Sequence, residues 1–414
     1  MMKLLDAKKF KQIVLFEDQV ARGLAFLPLS YTHSIAELRV GAFTQLERLR
    51  LVAGKIPIIL DVRESHAELA RERTRSNVNE PARGKSTLFL NARAFLDASM
   101  IELLNSLEMH TAVYPGEQPD PEVASFFAVF ADSDSISEAK IERSLPIYGI
   151  LFEGLWKMLQ YNQTAIQADE IHAARMLQNF LDRENQSNFI AVIDPARVWL
   201  GRNVKIAPGV VLDCSKGPII LNDGVRIMAN AVIVGPAVIG ENTIVKIGAK
   251  IYEGTSIGPV CKVGGEIENS IILGYSNKQH DGYLGHSYLG EWVNLGADTN
   301  TSDLKNDYSN VKLTIEDQQF DTGSQFVGLL MGDHSKTAIS TQFNTGTVVG
   351  VSCNLFGEGF PPKWIPNFSW GGAGTFEHYR VEKALAVARV VMERRDKTLT
   401  DSEAALLTAL ADLK

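Results

Sequence analysis

Residues 219–254 read IILNDGVRIMANAVIVGPAVIGENTIVKIGAKIYEG. The stretch parses into IILNDG, VRIMAN, AVIVGP, AVIGEN, TIVKIG and AKIYEG, with an aliphatic residue recurring about every six positions and Gly, Pro or Asn between. A period of six is neither helical nor simply alternating. It is the hexapeptide signature of a parallel β-helix, in which each short strand points one aliphatic side chain into a central column. Gly and Asn suit the corners because they tolerate positive φ. A sandwich would instead alternate over longer runs, with turns every 8–12 residues or so.

The pattern begins near residue 190 and runs through KIAPGV (205–210) to CKVGGE (261–266). After residue 298 it loosens: TNTSDLKNDYSNVKLTIEDQQFDTG (299–323) is polar and predicts a protruding loop. Repeat-like runs resume over 325–359, and FPPKWIPNFSWGGAG (360–374) predicts an irregular excursion. Residues 381–395 and 398–413 read as amphipathic helices, the second capped by Thr400 or Asp401.

Upstream, QIVLFED (12–18), KIPIILDV (55–62), KSTLFLNAR (85–93) and MHTAVYPG (109–116) read as strands. Residues 34–52 and 96–107 have helical spacing, and the charged run 64–85 predicts loop in part. Strands alternating with helices favour a largely parallel sheet with helical cover. The predicted organisation is therefore a Rossmann-like α/β domain over 1–153 and a helical linker, or packing helix, over 154–189. A β-helix over 190–375 and terminal helices over 376–414 complete it.

The chain has 414 residues, 45% hydrophobic and 22% charged, with a net charge of −8. That balance argues against a nucleic-acid binder. Cys214, Cys261 and Cys353 form no CxxC pair, which points to reduced core thiols of a cytoplasmic protein rather than a zinc or redox site. No secretory signal is predicted at the N-terminus. No run approaches the roughly 18 apolar residues needed to insert in a membrane.

The hexads followed by GYLGHSYLGEWVNLGA (282–297) resemble the acetyltransferase half of the bifunctional bacterial enzyme that makes UDP-N-acetylglucosamine. LPLSYTHSIAELRVG (27–41), LFLNAR (88–93), residues 272–312 and NLFGEGFPPKWIPNFSWGG (354–372) extend the likeness to a shorter, sugar nucleotidyltransferase-like form of that enzyme. The resemblance implies a left-handed β-helix that assembles as a homotrimer. It implies acetyl-CoA as donor, an amino-sugar 1-phosphate as acceptor, and Mg²⁺ with a nucleotide in the N-terminal domain.

Carried over residue by residue, His286 takes the catalytic-base position; its bland reading is a structural corner histidine. An imidazole suits the role because its ordinary pKa lies near working pH. Asn294 matches an acceptor-contacting asparagine, and Ala297 a backbone N–H facing the thioester carbonyl. Tyr288 matches the sugar-contacting tyrosine only after a one-residue gap, and the interval from His286 to Asn294 is one hexad shorter than the family's. Asn306, Tyr308 and Lys312 match the Asn-Tyr pair and the lysine beyond it. Asp298 stands where the family has Gly. Lys278, with His280, and Lys363 are phosphate candidates, the last on the cofactor side.

Arg39 is a nucleotide-phosphate candidate in the N-terminal half. There the superfamily's Gly-rich phosphate loop is missing, and Ala92-Arg93 replaces its metal-binding aspartate. Three readings stay open: a sugar-phosphate acetyltransferase, a nucleotidyltransferase with a regulatory, trimerising β-helix, and a non-catalytic sugar-nucleotide binder.

Overall fold

A computed structural model describes residues 3–82, 86–116, 126–182 and 189–412. The chain divides into two compact units. One holds the residues up to Phe26, Thr32–Leu38 and Phe43–Gly154; the other holds Leu27–Tyr31, Arg39–Ala42 and the chain from Leu155 on.

The first unit is built on a seven-stranded sheet. Gln12–Phe16 lies between Ile58–Asp61 and Thr87–Asn91, parallel to both. These segments are apolar and almost wholly buried, as strands covered on both faces must be. Ala128–Ala131 runs antiparallel to Thr87–Asn91 and to Thr111–Pro115, so the sheet is mixed. Its AVFA is too short to register as alternation. Lys85, in the predicted third strand, lies outside the described residues.

The predicted helix over 34–52 forms only from Gln45 to Ala53 (α1). Thr44 caps it, its hydroxyl accepting from Glu47 N at 3.1 Å while Glu47 Oε2 accepts from Thr44 N at 2.7 Å. Gly41 interrupts the pattern with φ 71°. Its N–H donates to Asn162 Oδ1 at 2.7 Å, and a Cβ there would stand 2.3 Å from Asp169 Oδ2. The charged run 64–85 contains the helix Ala67–Thr74 (α2); Arg83, Gly84 and Lys85 lie outside the described residues. Ala98–Ser106 (α3) is capped by Asp97.

The second unit is the β-helix. Its short parallel strands stack into three strips, which the chain visits in the order A, B, C. Strip A includes Val198–Leu200, Ile219–Leu221, Ala237–Ile239, Thr255–Ile257, Ile271–Ile272 and Tyr288–Leu289. Strip B includes Lys205–Ile206, Arg226–Ile227, Ile244–Val245, Lys262–Val263 and Asn277–Lys278. Strip C includes Val211–Asp213, Val232–Val234, Lys250–Ile251, Glu266–Glu268 and Tyr283–Gly285.

Ile219 pairs with Ala237 and Ala237 with Thr255, steps of 18 residues (237 − 219 and 255 − 237), or three hexads per coil. The inward position of strip A is filled in turn by Leu221, Ile239, Ile257, Ile272, Leu289 and Met331, all buried in the central column. Each such side chain contributes roughly 1.5–3 kcal/mol by leaving water.

Tyr288 then pairs with Leu330, a step of 42 (330 − 288), so this coil carries 24 extra residues (42 − 18). They form the predicted excursion, with the antiparallel pair Lys312–Ile315 and Gln318–Asp321 at its heart. Its neck closes where Val327 N donates to Asp303 O at 3.0 Å.

Residues 360–374 are more regular than expected. Trp364–Ile365 joins strip A and Ser369–Gly371 follows the ladder of strip B, while Pro366 sits at the corner, where no ladder N–H is needed. Leu155–Met176 (α4) is no free linker: within this unit Asn162 Nδ2 donates to Gly254 O at 2.7 Å. Residues 183–188 of the predicted linker lie outside the described residues. Val381–Glu393 (α5) and Asp401–Ala411 (α6) end the chain's described part, and Thr400 is the cap of α6. Leu413, within the predicted last helix, is not among the described residues.

Candidate functional site

The corner between strips B and C opens into a cavity of about 540 Å³. Successive coils contribute Lys246, Gly264–Gly265, Gln279–Asp281 and Ala297–Asp298 to its wall. The His280 imidazole is exposed and makes no hydrogen bond among the described residues. The Ala297 N–H likewise meets no acceptor among them. Asp298 N donates to Asp281 O at 3.0 Å, which joins the two acidic corners.

Lys278 stands directly behind this wall. As the inward residue of its strand it is 2% exposed, and its Nζ donates to His280 O at 2.7 Å. Burial pushes its pKa down to about 8, against the pull of Asp281 and Asp298. Gly265 has φ 69°, and a Cβ there would stand 2.8 Å from Lys278 Nζ, so this wall has no room for a side chain. Lys278 therefore holds the turn that carries His280 and does not itself enter the cavity.

Asn294 lies on strip B, bridged to Asn277 below and Lys336 above. It lines a neighbouring cavity of about 300 Å³, and Gln279 lines both cavities. Asn294, Ala297, Gln279 and His280 thus share one strip and its trailing corner.

His286 is elsewhere. It follows strip C, at the corner that leads back to strip A, with φ 43°. Its Nδ1 lies 2.7 Å from Asp303 Oδ2, and its ring stacks on Phe326 with centroids 4.9 Å apart. The Tyr283 hydroxyl shares its proton between Asp303 Oδ2 at 2.9 Å and Glu268 Oε2 at 3.0 Å. Burial and these two carboxylates push the Tyr283 phenol above its ordinary range. Asp303 and Phe326 are the two ends of the excursion, so His286 clamps its neck.

The remaining candidates are also dispersed. Tyr288 is fully buried, its hydroxyl donating to Arg39 O at 2.6 Å, and it cannot meet a sugar. Its outward face was readable as exposed only because the covering segment lies some 250 residues away in sequence (288 − 39 = 249). Arg39 belongs to the second unit, and its guanidinium donates to Ala42 O. Asn306, Tyr308 and Lys312 are exposed on the excursion, on the His286 side. Lys363 donates to Thr345 O at 2.7 Å, and burial with nearby Lys305 pushes its pKa down.

Counting resolves the departures noted in the sequence. From His286, Tyr288 is two positions on and Asn294 eight (288 − 286, 294 − 286). From His280, Tyr283 is three on and Asn294 fourteen (283 − 280, 294 − 280). Starting at His280 removes both the one-residue gap and the missing hexad. The HDGYLG–HSYLG repetition offers the sequence two registers, one on each histidine.

In the first unit, the strands on either side of Gln12–Phe16 place a topological switch point at its C-terminal end. Asp18, Asn91 and Arg93 fill that end: Arg93 Nε donates to Asp18 Oδ1 at 2.9 Å, Asn91 Nδ2 to Asp18 Oδ2 at 2.9 Å, and Arg93 Nη1 to Phe152 O at 2.6 Å. Asp61, on the next strand, is raised in pKa by burial and faces Arg22 at 3.3 Å. Among the described residues no group of three or more His, Cys, Asp or Glu could hold a metal ion. Asp18 and Asp61 each face an arginine, Arg93 and Arg22.

Comparison with known proteins places the first part of the chain. Residues 13–175 match the sugar nucleotidyl transferase family model. The chain is 28% identical over 211 residues to the bifunctional protein GlmU of Ralstonia nicotianae, covering 45% of each. It is 31% identical over 225 residues to GlmU of Azoarcus sp., covering 48% of this chain and 45% of the relative. The chain therefore spans about half the length of the curated relatives it matches. A solved Arabidopsis UDP-N-acetylglucosamine acyltransferase is 12% identical with a TM-score of 0.29, covering 50% of this chain and 78% of that one, a likeness too slight to carry an assignment.

Proposed function

We propose that this chain is an enzyme of amino-sugar nucleotide formation, and that its β-helix transfers the acetyl group of acetyl-CoA to the amine of a sugar phosphate such as glucosamine 1-phosphate. One observation carries the reading: the His280 imidazole and the Ala297 N–H, neither with a partner among the described residues, line one cavity, next to Asn294. His280 accepts the amine proton as the nitrogen attacks the thioester carbonyl. The C–N bond forms, the Ala297 N–H meets the oxyanion, and the C–S bond breaks with the proton passing to the leaving thiolate. Asn294, beyond Gln279, orients the acceptor. His286 is reassigned to positioning the excursion.

The same reading includes a cytoplasmic homotrimer. Ile247 and Ile339 are 65% and 74% exposed on the cavity's corner, which favours a second copy closing it. Three free, buried thiols agree with a reducing compartment. Among the described residues no helix is long and apolar enough to cross a membrane.

CoA release from acetyl-CoA and glucosamine 1-phosphate tests the assignment: His280→Ala lowers it steeply and His286→Ala does not. The family match of residues 13–175 favours a second activity, sugar 1-phosphate nucleotidyl transfer in the first unit. Diphosphate release from a nucleoside triphosphate with a sugar 1-phosphate tests that separately.

A further inference from the structure

The smaller cavity lies between strip B and α5. Lys262 and Lys336 rise from the strip, and Arg394 and Arg395 come from the end of the helix. None of the four has a carboxylate within ion-pair distance among the described residues. Three other cations of the β-helix do meet a carboxylate: Lys250 pairs with Glu266 at 3.1 Å, Arg202 with Asp223 and Lys216 with Glu253. A chain of net charge −8 thus gathers four uncompensated cations around one pocket.

The pocket's walls are held in place. Arg395 Nη2 donates to Asn277 Oδ1 at 3.3 Å, and Asn277 Nδ2 to Asn294 Oδ1 at 3.4 Å. Lys336 Nζ donates to His334 O at 2.7 Å. Tyr275 and Trp292 stack at 4.3 Å and wall the far end. Burial first, then Arg395, Lys246 and Arg394, disfavour the charged form of Lys262. Compensation of the helix dipole accounts for arginines at the end of α5. It does not account for two lysines facing them from the strip.

We propose that this pocket binds the phosphate or diphosphate group of a small molecule. The four cations supply the charge, the guanidinium forks suit phosphate oxygens, and the Asn277 and Asn294 amides lie within the same wall. The volume, about 300 Å³, is at the small end of ligand pockets and fits a compact anion. The proposal stands on this pocket's own geometry and does not rest on acetyl transfer at His280.

Isothermal titration of the full chain with inorganic diphosphate at low salt tests it. Saturable binding is expected, weakened about tenfold or more in the Arg394→Gln/Arg395→Gln double variant, as loss of charged hydrogen bonds to an anion would give. Lys262→Gln, which leaves the helix contact untouched, is expected to weaken binding likewise, should the double variant fail to fold. His280→Ala leaves the affinity unchanged, which separates this site from the acetyl-transfer reading. Absence of saturable binding, or unchanged affinity in the folded Arg394→Gln/Arg395→Gln or Lys262→Gln variants, overturns the proposal. Displacement of the diphosphate by glucosamine 1-phosphate assigns the site to a phosphate ester; failure to displace it assigns the site to the free anhydride.

Discussion

Two corners of the same β-helix carry a histidine just ahead of a Tyr-Leu-Gly. At the corner between strips B and C, His280 is exposed over an open cavity and its imidazole bonds to no described residue. At the corner between strips C and A, six residues later, His286 is locked to Asp303 at 2.7 Å and stacked on Phe326. The local sequences are nearly interchangeable, but the environments are not. In a β-helix a shift of one hexad moves a residue to another strip, so a motif's chemistry is decided by its corner.

The sharpest way to break this contrast is to remove each histidine in turn. His280→Ala should lower the rate of CoA release by roughly 10²–10⁴-fold, the usual contribution of a positioned base. His286→Ala should leave that rate within a few-fold and instead lower stability by about 1–2 kcal/mol, read from the urea midpoint. The reverse pattern would restore His286 as the base and make His280 a solvated turn residue.

A second prediction sharpens the structural corner. Asp303 accepts from Tyr283 and faces His286 at once. Asp303→Ala should cost about 1–2 kcal/mol, because it removes the partner of His286 and one of the two acceptors of the Tyr283 hydroxyl. Limited proteolysis should then cut within residues 304–326 sooner than in the parent. Unchanged cleavage would mean that the hairpin packing alone, with Val311, Leu313 and Ile315 buried, holds the excursion.

The β-helix was legible because its hexads are local: Leu221, Ile239 and Ile257 repeat at the period that the coil imposes. Its excursion was legible as a break in that period. The fate of outward side chains was not. Tyr288 is covered by a segment near Arg39, and Lys262 is faced by Arg394 and Arg395, contacts that no sequence window contains. The register proposed for the site was obscured for a different reason: two similar hexads competed for one motif. The α/β unit is largely parallel as read, and its antiparallel strand, Ala128–Ala131, escaped notice because it is short and wholly buried. Gly41 cut a helical pattern through tertiary contacts to Asn162 and Asp169, which spacing alone does not reveal.

The smallest expected effect concerns Lys278, the cation behind the open corner. Burial holds its folded pKa near 8, below the ordinary lysine value of 10.5. The charged form is therefore disfavoured by folding. Below pH 8 both states are protonated and the penalty is fully present. Between pH 8 and 10.5 the unfolded chain keeps the proton longer, so stability rises with pH. Lys278→Met removes that dependence. The net gain at pH 7 should be roughly 1 kcal/mol, since the bonds to His280 O and Gly264 O offset part of the relief. Urea midpoints of parent and variant at pH 7 and pH 9.5 should converge as pH rises; a constant difference would show that the ammonium is not the group responsible. Because Lys278 holds the turn carrying His280, a stabilised variant with impaired CoA release would separate the two things this lysine does: it costs the fold free energy, and it keeps the open corner's histidine where the cavity needs it.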